Sequence, residues 1–402
     1  MKKLILALAA CTAASAAMAQ ADSTATDSIK GFKFTDVKVI PTTSVKDQNK
    51  SGTCWAFSGT SFLEDEVRRL GGDSLDLSEM FTVRHCYDDK ADRYVRMYGE
   101  CNFAQGGGLL DVGYVLKKYG MVPEDAYPGL NYGEPKHDHY EMASVMENML
   151  KAVVKKPSKK VSTAWKRALD GVLDAYLGPL PANFTYKGKK YTPETFAASL
   201  PVNPDDYVAL TSFTHHPFYE SFILEVPDNW VYGQYMNVPL EDLKAIADNA
   251  VENGFPINWA ADVSEGGFKW NKGVALMPKG KSQGDMNGTE LARWVKLSDR
   301  DRAADKYNFD GPVDEEEVTQ ESRQQAFDNQ ETTDDHGMEI VGYATDQNGK
   351  RYYKVKNSWD TNQVYDGFLY VSEPYFLAKT VSMLVHKDAI PKHIAKKIGL
   401  KK

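Results

Sequence analysis

Apolar positions recur at helical spacing in the first two thirds of the chain and as short β-branched and aromatic runs in the last. Trp55, Ala56, Phe57, Phe62 and Leu63 are set among Glu64, Asp65, Glu66, Arg68 and Arg69 at helical spacing. An amphipathic helix therefore starts at Cys54, after the small residues Ser51-Gly52-Thr53. Leu77 to His85 is also helix-like, and Asp111 to Tyr119 reads as a helix stopped by Gly120. Tyr140 to Leu177 is helix-prone, Lys-rich and broken at Pro157; Pro239 to Asn253 places Leu240, Leu243, Ile246 and Ala250 on one face, with Gly254 after its end. From Ile340 the period changes. Ile340 to Tyr343, Tyr352 to Lys356 and Gly367 to Val371 read as antiparallel strands, the first two joined through an Asn-Gly turn at Asn348-Gly349. Helices first and strands last predict an α+β fold, helical in its N-terminal half and antiparallel β-rich in its C-terminal half.

The chain has 402 residues, 42% hydrophobic and 26% charged, which suits a globular protein with a large core. Met1 to Ala19 reads as a secretory signal: Lys2 and Lys3, an apolar Leu4 to Ala10, then Ala17-Met18-Ala19 as a cleavage site. The apolar run is too short to span a membrane, and no later segment comes close. Leu8-Ala9-Ala10-Cys11 also reads as a lipoprotein box acylated at Cys11, but ordinary cleavage is favoured. Export to the periplasm or the exterior is expected, with residues 20–30 as a flexible polar lead and residues 31–402 as the folded part. Removing residues 1–19 takes two lysines from a formal charge of −8, leaving −10. Such a surface does not recruit nucleic acid or anionic lipid. The basic tail (Lys387, Lys392, Lys396, Lys397, Lys401, Lys402) reads as a solvated helix face.

Three cysteines remain after cleavage, Cys54, Cys86 and Cys101, so at least one thiol is free or pairs outside the chain. Cys54 heads its helix, where unpaired N–H groups and the dipole favour a thiolate. His336, in Asp334-Asp335-His336-Gly337-Met338, opens the first strand of the β-rich end; Asn357 follows in Lys356-Asn357-Ser358-Trp359. His137 and His139, near Glu134 and Asp138, read as a polar loop, so no metal is expected, and no motif implies a cofactor.

Gln48, Cys54-Trp55-Ala56-Phe57-Ser58, Leu77-Ser78-Glu79, Gly106-Gly107, His336-Gly337-Met338 and Asn357-Ser358-Trp359 occur together and in order, and in this the chain resembles the papain-like cysteine peptidases. The interval from Cys54 to His336 is 282 residues, against about 130–150 in typical members. That enlargement, Asp206-Tyr207-Val208, Tyr235 to Pro239 and Gly254-Phe255-Pro256 resemble the bleomycin hydrolase and aminopeptidase C branch, with a large, mostly helical insertion at roughly 135–235. The resemblance implies that Cys54 attacks a peptide carbonyl, His336 moves the proton and Asn357 holds the imidazole. It also implies that Gln48 and the Cys54 N–H form the oxyanion hole, Gly106 and Gly107 pair with substrate backbone, and Trp359 shields the Asn357–His336 contact. Peptides are the implied substrates, aminopeptidase action the implied specificity and ring-like hexamers the implied assembly. A papain-like endopeptidase and a catalytically silent binding protein are the alternatives.

Two departures stand out. Asp360 occupies the position after Trp359 where the family has glycine. The chain stops at Gly399-Leu400-Lys401-Lys402, shorter than the C-terminal arm that fixes the substrate's amine in the enlarged branch. With Cys54 needed as a thiolate, Cys86 and Cys101 are the pair open to an internal disulfide. Two buried free thiols are the competing reading, and the export signal tips the expectation toward the bond.

Overall fold

The computed structural model describes residues 31–280, 286 and 288–400. The expected signal at 1–19, Cys11, the lead at 20–30 and Lys401-Lys402 lie outside the described residues. In chain order the elements are β1 (Phe34–Val39), α1 (Cys54–Arg69), α2 (Glu79–Arg96), α3 (Asp111–Tyr119), α4 (Tyr140–Val154), α5 (Ala164–Leu177), β2 (Phe184–Tyr186), β3 (Lys189–Tyr191), α6 (Pro193–Ala197), β4 (Tyr207–Thr211), β5 (Ser221–Ile223), β6 (Gln234–Asn237) and α7 (Leu240–Glu252). They continue with β7 (Ile257–Ala261), β8 (Phe268–Lys269), β9 (Val274–Ala275), α8 (Gly288–Trp294), α9 (Asp299–Lys306), α10 (Gln320–Asp328), β10 (His336–Asp346), β11 (Arg351–Lys356), β12 (Phe368–Ser372), α11 (Glu373–Lys379), β13 (Thr380–His386) and α12 (Lys392–Lys397).

The helical half packs on itself first. Met142, Met146 and Leu150 of α4 and Leu169, Leu173 and Leu177 of α5 recur at i, i+4 spacing, and these rows bury with Met80, Phe81 and Tyr87 of α2 in one core. Ser78 caps α2 by accepting from the Phe81 N–H at 3.0 Å. Residues 135–235 contain α4, α5 and α6 but also five strands. β2 and β3 form a separate hairpin, whereas β4, β5 and β6 extend the main sheet.

Among the described residues eleven strands form that sheet, in the order β5-β6-β4-β13-β7-β10-β11-β12-β9-β8, with β1 added on β10. Most pairs are antiparallel; β4–β6 and β9–β12 are parallel. β10 is the hub. It pairs with β7, β11 and β1, so Phe34 lies opposite Asp346 and His336 opposite Ala261. α7, α11 and α12 close the second core against this sheet, with Ile246, Phe376 and Ile394 fully buried beside Trp259 and Val385. Among the described residues no helix is long and apolar enough to cross a membrane.

One buried cluster links the helical half to the segment before α1. Lys46 bonds Asp76 at 2.5 Å and Glu79 at 3.3 Å. Although burial opposes its charge, Glu79, Glu64 and Asp76 hold Lys46 well above the usual lysine range. Burial and the neighbouring carboxylates push Glu64, Glu79 and Glu124 up to about 7 each. Acids raised in this way bind more protons folded than unfolded, so their ionisation costs stability as pH rises from about 4.5 toward 7. Lys46 is the cation that limits this cost. Lys46→Met is expected to destabilise the protein by about 3 kcal/mol at pH 8 and by far less at pH 4.5. Thermal melts of both proteins at the two pH values check it; an equal loss at both would show that Lys46 acts through packing alone.

Candidate active site

Cys54 is the first residue of α1, and the cap before it is incomplete. Thr53 makes no side-chain cap bond, its hydroxyl going instead to Ser51 Oγ at 2.7 Å. First-turn N–H groups therefore remain available, and the Trp55 N–H of α1 together with the Gly337 N–H of β10 donates to the Cys54 sulfur. Gly337 packs closely here. A Cβ on it would lie 2.7 Å from Ser58 Oγ and 3.2 Å from the Trp55 Cα, so a side chain would turn the Ser58 hydroxyl aside and press on the start of α1.

That contact brings His336 into the cavity lined by Cys54. His336 Nε2 lies 2.7 Å from Asn357 Oδ1. The same oxygen accepts the Ser358 N–H at 2.8 Å, which fixes the amide with its oxygen toward the ring. Nε2 is therefore the protonated nitrogen of the neutral imidazole, and Nδ1 carries the lone pair. Trp359 covers the ring at 4.6 Å between centroids and is flanked by Trp270 at 5.4 Å and Phe268 at 5.9 Å. Asp360, in place of the glycine, adopts φ +64°, and its carboxylate accepts the Thr361 N–H at 2.6 Å; aspartate is among the few residues that tolerate this region.

Gln48 is buried and held at both ends. Its Nε2 donates to Ser51 O at 2.7 Å and its Oε1 accepts from Ser358 Oγ at 2.7 Å, leaving the second amide hydrogen free. The segment carrying it is clamped by the 137–139 loop: the Lys50 N–H donates to His137 O, the His139 N–H to Lys50 O, and Asn49 Nδ2 to His137 O. The two histidine rings, expected in a polar loop, are buried instead. They meet at 5.5 Å, and burial lowers them to about 4 and about 3.

Gly106 and Gly107 form one wall of the cavity. Trp55 Nε1 donates to Gln105 O at 2.9 Å, and the Gly52 N–H to Gln105 Oε1 at 2.8 Å. The Gly106 carbonyl is taken by Lys90 Nζ, and a Cβ on Gly106 would overlap the Asp228 carboxylate. Asp228 and Asp334 both line the cavity, and sequence reading had singled out neither. Burial, assisted by Asp334 and Asp228, pushes the Cys54 thiol up to about 12, against the opposing Gly337 and Trp55 N–H groups; burial lowers His336 to about 4.

The expected Cys86–Cys101 disulfide is corrected by the structure, in which both thiols are free. Cys86 is wholly buried on the inner face of α2, ten residues before the helix ends, or about 15 Å at 1.5 Å per residue. Cys101 follows a turn at that end, where the Gly99 N–H bonds back to Tyr94 O, and the chain comes level with Tyr94 only at Phe103. A disulfide requires Cα atoms within about 7 Å.

His215, His216 and Glu225 also meet, with ligand atoms within 4.8 Å of one another. Gln324 accepts the Thr214 N–H on its Oε1 and so presents Nε2 to His215 Nδ1 at 3.0 Å. The His215 proton is thereby placed on Nε2, facing Glu225 at 3.1 Å, and the group forms a hydrogen-bonded pair where a metal would need the lone pair.

A half-buried cysteine at a helix start, an imidazole tied to an asparagine and a fixed amide donor come together on a papain-like fold, and the chain belongs to the papain-like cysteine peptidases. The family described as "Papain family cysteine protease" matches residues 32–193 and the "Peptidase C1-like family" matches residues 288–401. Within the family the chain is of the aminopeptidase C type. It is 23% identical to Aminopeptidase G of Lactobacillus delbrueckii subsp. lactis over 88% of this chain and 83% of that protein, and 22% identical to Aminopeptidase C of the same organism over 89% and 82%. A crystal structure of PepW from Lactobacillus rhamnosis HN001 shares the fold, with a TM-score of 0.66 at 17% identity, covering 91% of this chain and 84% of that one.

The junction at Gly337 gives a direct test. Gly337→Val is expected to push β10 off α1 and lower kcat by about 100-fold, the scale on which a 1 Å misplacement acts, while far-UV circular dichroism stays native. Unchanged turnover would show that the contact does not set the geometry.

Proposed function

We propose that this protein is a cysteine aminopeptidase that removes residues from the free N-terminus of peptides through a Cys54 acyl-enzyme. The observation that carries the peptidase reading is that Cys54 and His336 line one cavity while Asn357, behind the imidazole, fixes its tautomer through Nε2. The names of the matched relatives support N-terminal action.

In this reading His336 Nδ1 takes the thiol proton and the Cys54 sulfur attacks the peptide carbonyl. The oxyanion receives the spare Gln48 amide hydrogen and the Cys54 N–H. Breakdown of the tetrahedral intermediate breaks the C–N bond, and the leaving amine takes the proton back from His336. Water, deprotonated by the same imidazole, then attacks the thioester and frees the acid and the thiol. Asn357 keeps the ring oriented as its charge changes, and Trp359 keeps water from that hydrogen bond.

We also propose export, supported by the charged, apolar and small-residue order of residues 1–19, and hexamer assembly as in the bleomycin hydrolase-like branch. Cys54→Ala is expected to abolish hydrolysis of peptide amides and labelling by a thiol-directed epoxide while the melting temperature holds. Undiminished hydrolysis by this variant would end the mechanism. Sedimentation at micromolar concentration is expected to give a mass near six chains, and a mass of one chain would end the hexamer.

A further inference from the structure

The cavity beside Cys54 carries more negative charge than the protein groups around it balance. Asp228 in the loop before β6 and Asp334 and Asp335 ahead of β10 line it, and Lys90 on α2 and Asp111 at the start of α3 lie behind them within electrostatic reach. Lys90 is committed to backbone, donating to Ala104 O at 3.3 Å and to Gly106 O. Asp111 accepts from Trp230 Nε1 at 2.6 Å and from the Gly108 N–H at 3.2 Å. Asp228 accepts from Asn102 Nδ2 at 3.1 Å. Asp334 lines the cavity and, among the described residues, has neither a hydrogen-bond donor nor a cation; burial and the carboxylates of Asp228, Asp335 and Asp111 push it up to about 7. A carboxylate withdrawn from water without a partner is costly, so a site built this way calls for a cation.

Position says which cation. The Asp228 carboxylate stands over Gly106, in the space a side chain there would fill. The loop that carries it is rigid: Asn229 Nδ2 donates to Leu224 O at 2.9 Å and to Gly233 O at 3.0 Å, and Asn229 Oδ1 accepts the Gly233 N–H at 2.8 Å. Trp230 ties the same loop to α3. A peptide with its carbonyl at Cys54 that runs back along Gly106 and Gly107 therefore meets a fixed carboxylate. The cavity that Cys54, Gly106, Asp228 and Asp334 line together is small, about 50 Å³, so the two carboxylates lie close to the place where a substrate's end would sit.

We propose that Asp228 and Asp334 form the subsite for the substrate's α-ammonium, so that this chain's own carboxylates restrict hydrolysis to the first peptide bond. The proposal rests on the cysteine peptidase reading and deepens it. The subsite also couples to the nucleophile, because the two carboxylates that oppose the Cys54 thiolate are the ones a bound ammonium neutralises. A lysine side chain offers the same chemistry as an α-ammonium, and the test separates the two.

The experiment measures kcat/KM of the wild-type full chain, Asp228→Asn and Asp334→Asn on three coumaryl amides: leucyl with a free amine, N-acetyl-leucyl, and N-acetyl-lysyl-leucyl. The wild type is expected to prefer the free amine over both acetylated substrates by about 100-fold, and each variant to lose about 10-fold or more of that preference, the scale of a charge-assisted bond. The readout is a ratio between substrates on one preparation, so partial misfolding of a variant cancels. If both variants keep the wild-type ratio, the subsite is overturned while the peptidase reading stands. If the wild type cleaves the acetyl-lysyl substrate as well as the free amine, the pocket reads a side chain and the α-ammonium assignment is overturned. No hydrolysis of any amide by the wild type would overturn both readings.

Discussion

The whole site depends on the contact between the first turn of α1 and the first residues of β10. Gly337 lies so close to this turn that a Cβ there would press on Ser58 Oγ and the Trp55 backbone, and its small size lets the His336 backbone lie against the Cys54 helix. Farther along the same contact the interface is polar. Lys356 of β11 bonds Ser61, Thr42 and Thr43, and Ser61 bonds Glu339 of β10 at 2.5 Å. Thr43 donates in turn to Asp65 of α1. Groups of this kind give little net stability but penalise any shift of helix against strand that would leave one unpaired.

The same contact explains how Cys54 and His336, 282 residues apart in the chain, come to line one cavity. β10 lies between β7 and β11 and also carries β1, which precedes α1 in the chain. The strand that holds His336 is thus fixed by elements on both sides of the intervening segment. Chain added between α3 and β7 packs outward, as α4 and α5 on α2, or extends the sheet at its far edge through β4 to β6.

The parts legible in the sequence are those whose reason is local. α1 followed from apolar spacing after small residues, α3 and α7 from apolar spacing and a terminal glycine, and the break between α4 and α5 from Pro157. Thr380 to His386 was not read as a strand because both of its faces are buried in the sheet and alternation disappears. β1 pairs only with residues some 300 positions away, and its exposed pattern of alternating charge gives no strand signal alone. Cys, His and Asn were legible as motifs, whereas Asp228 and Asp334 become a pair only when a loop before β6 folds over Gly106. The disulfide failed for a related reason: the cysteine count allowed it, and the depth of Cys86 in α2 does not.

Charge at Cys54 is then set by a balance of known sign. Raising the thiol from 9.0 to about 12 corresponds to about 4 kcal/mol against the thiolate, and lowering His336 from 6.5 to about 4 to about 3 kcal/mol against the imidazolium. A helix N-terminus returns about 0.3–2 kcal/mol, too little by itself. Attraction between a thiolate and an imidazolium brought to about 4 Å would be worth about 4 kcal/mol in a medium of intermediate dielectric, which closes much of the gap but leaves a remainder. The carboxylates of Asp334 and Asp228 are part of what created that gap. Whatever neutralises them therefore also eases ionisation of the Cys54 thiol, so that charge entering this cleft and charge forming on the sulfur are coupled through the same two carboxylates.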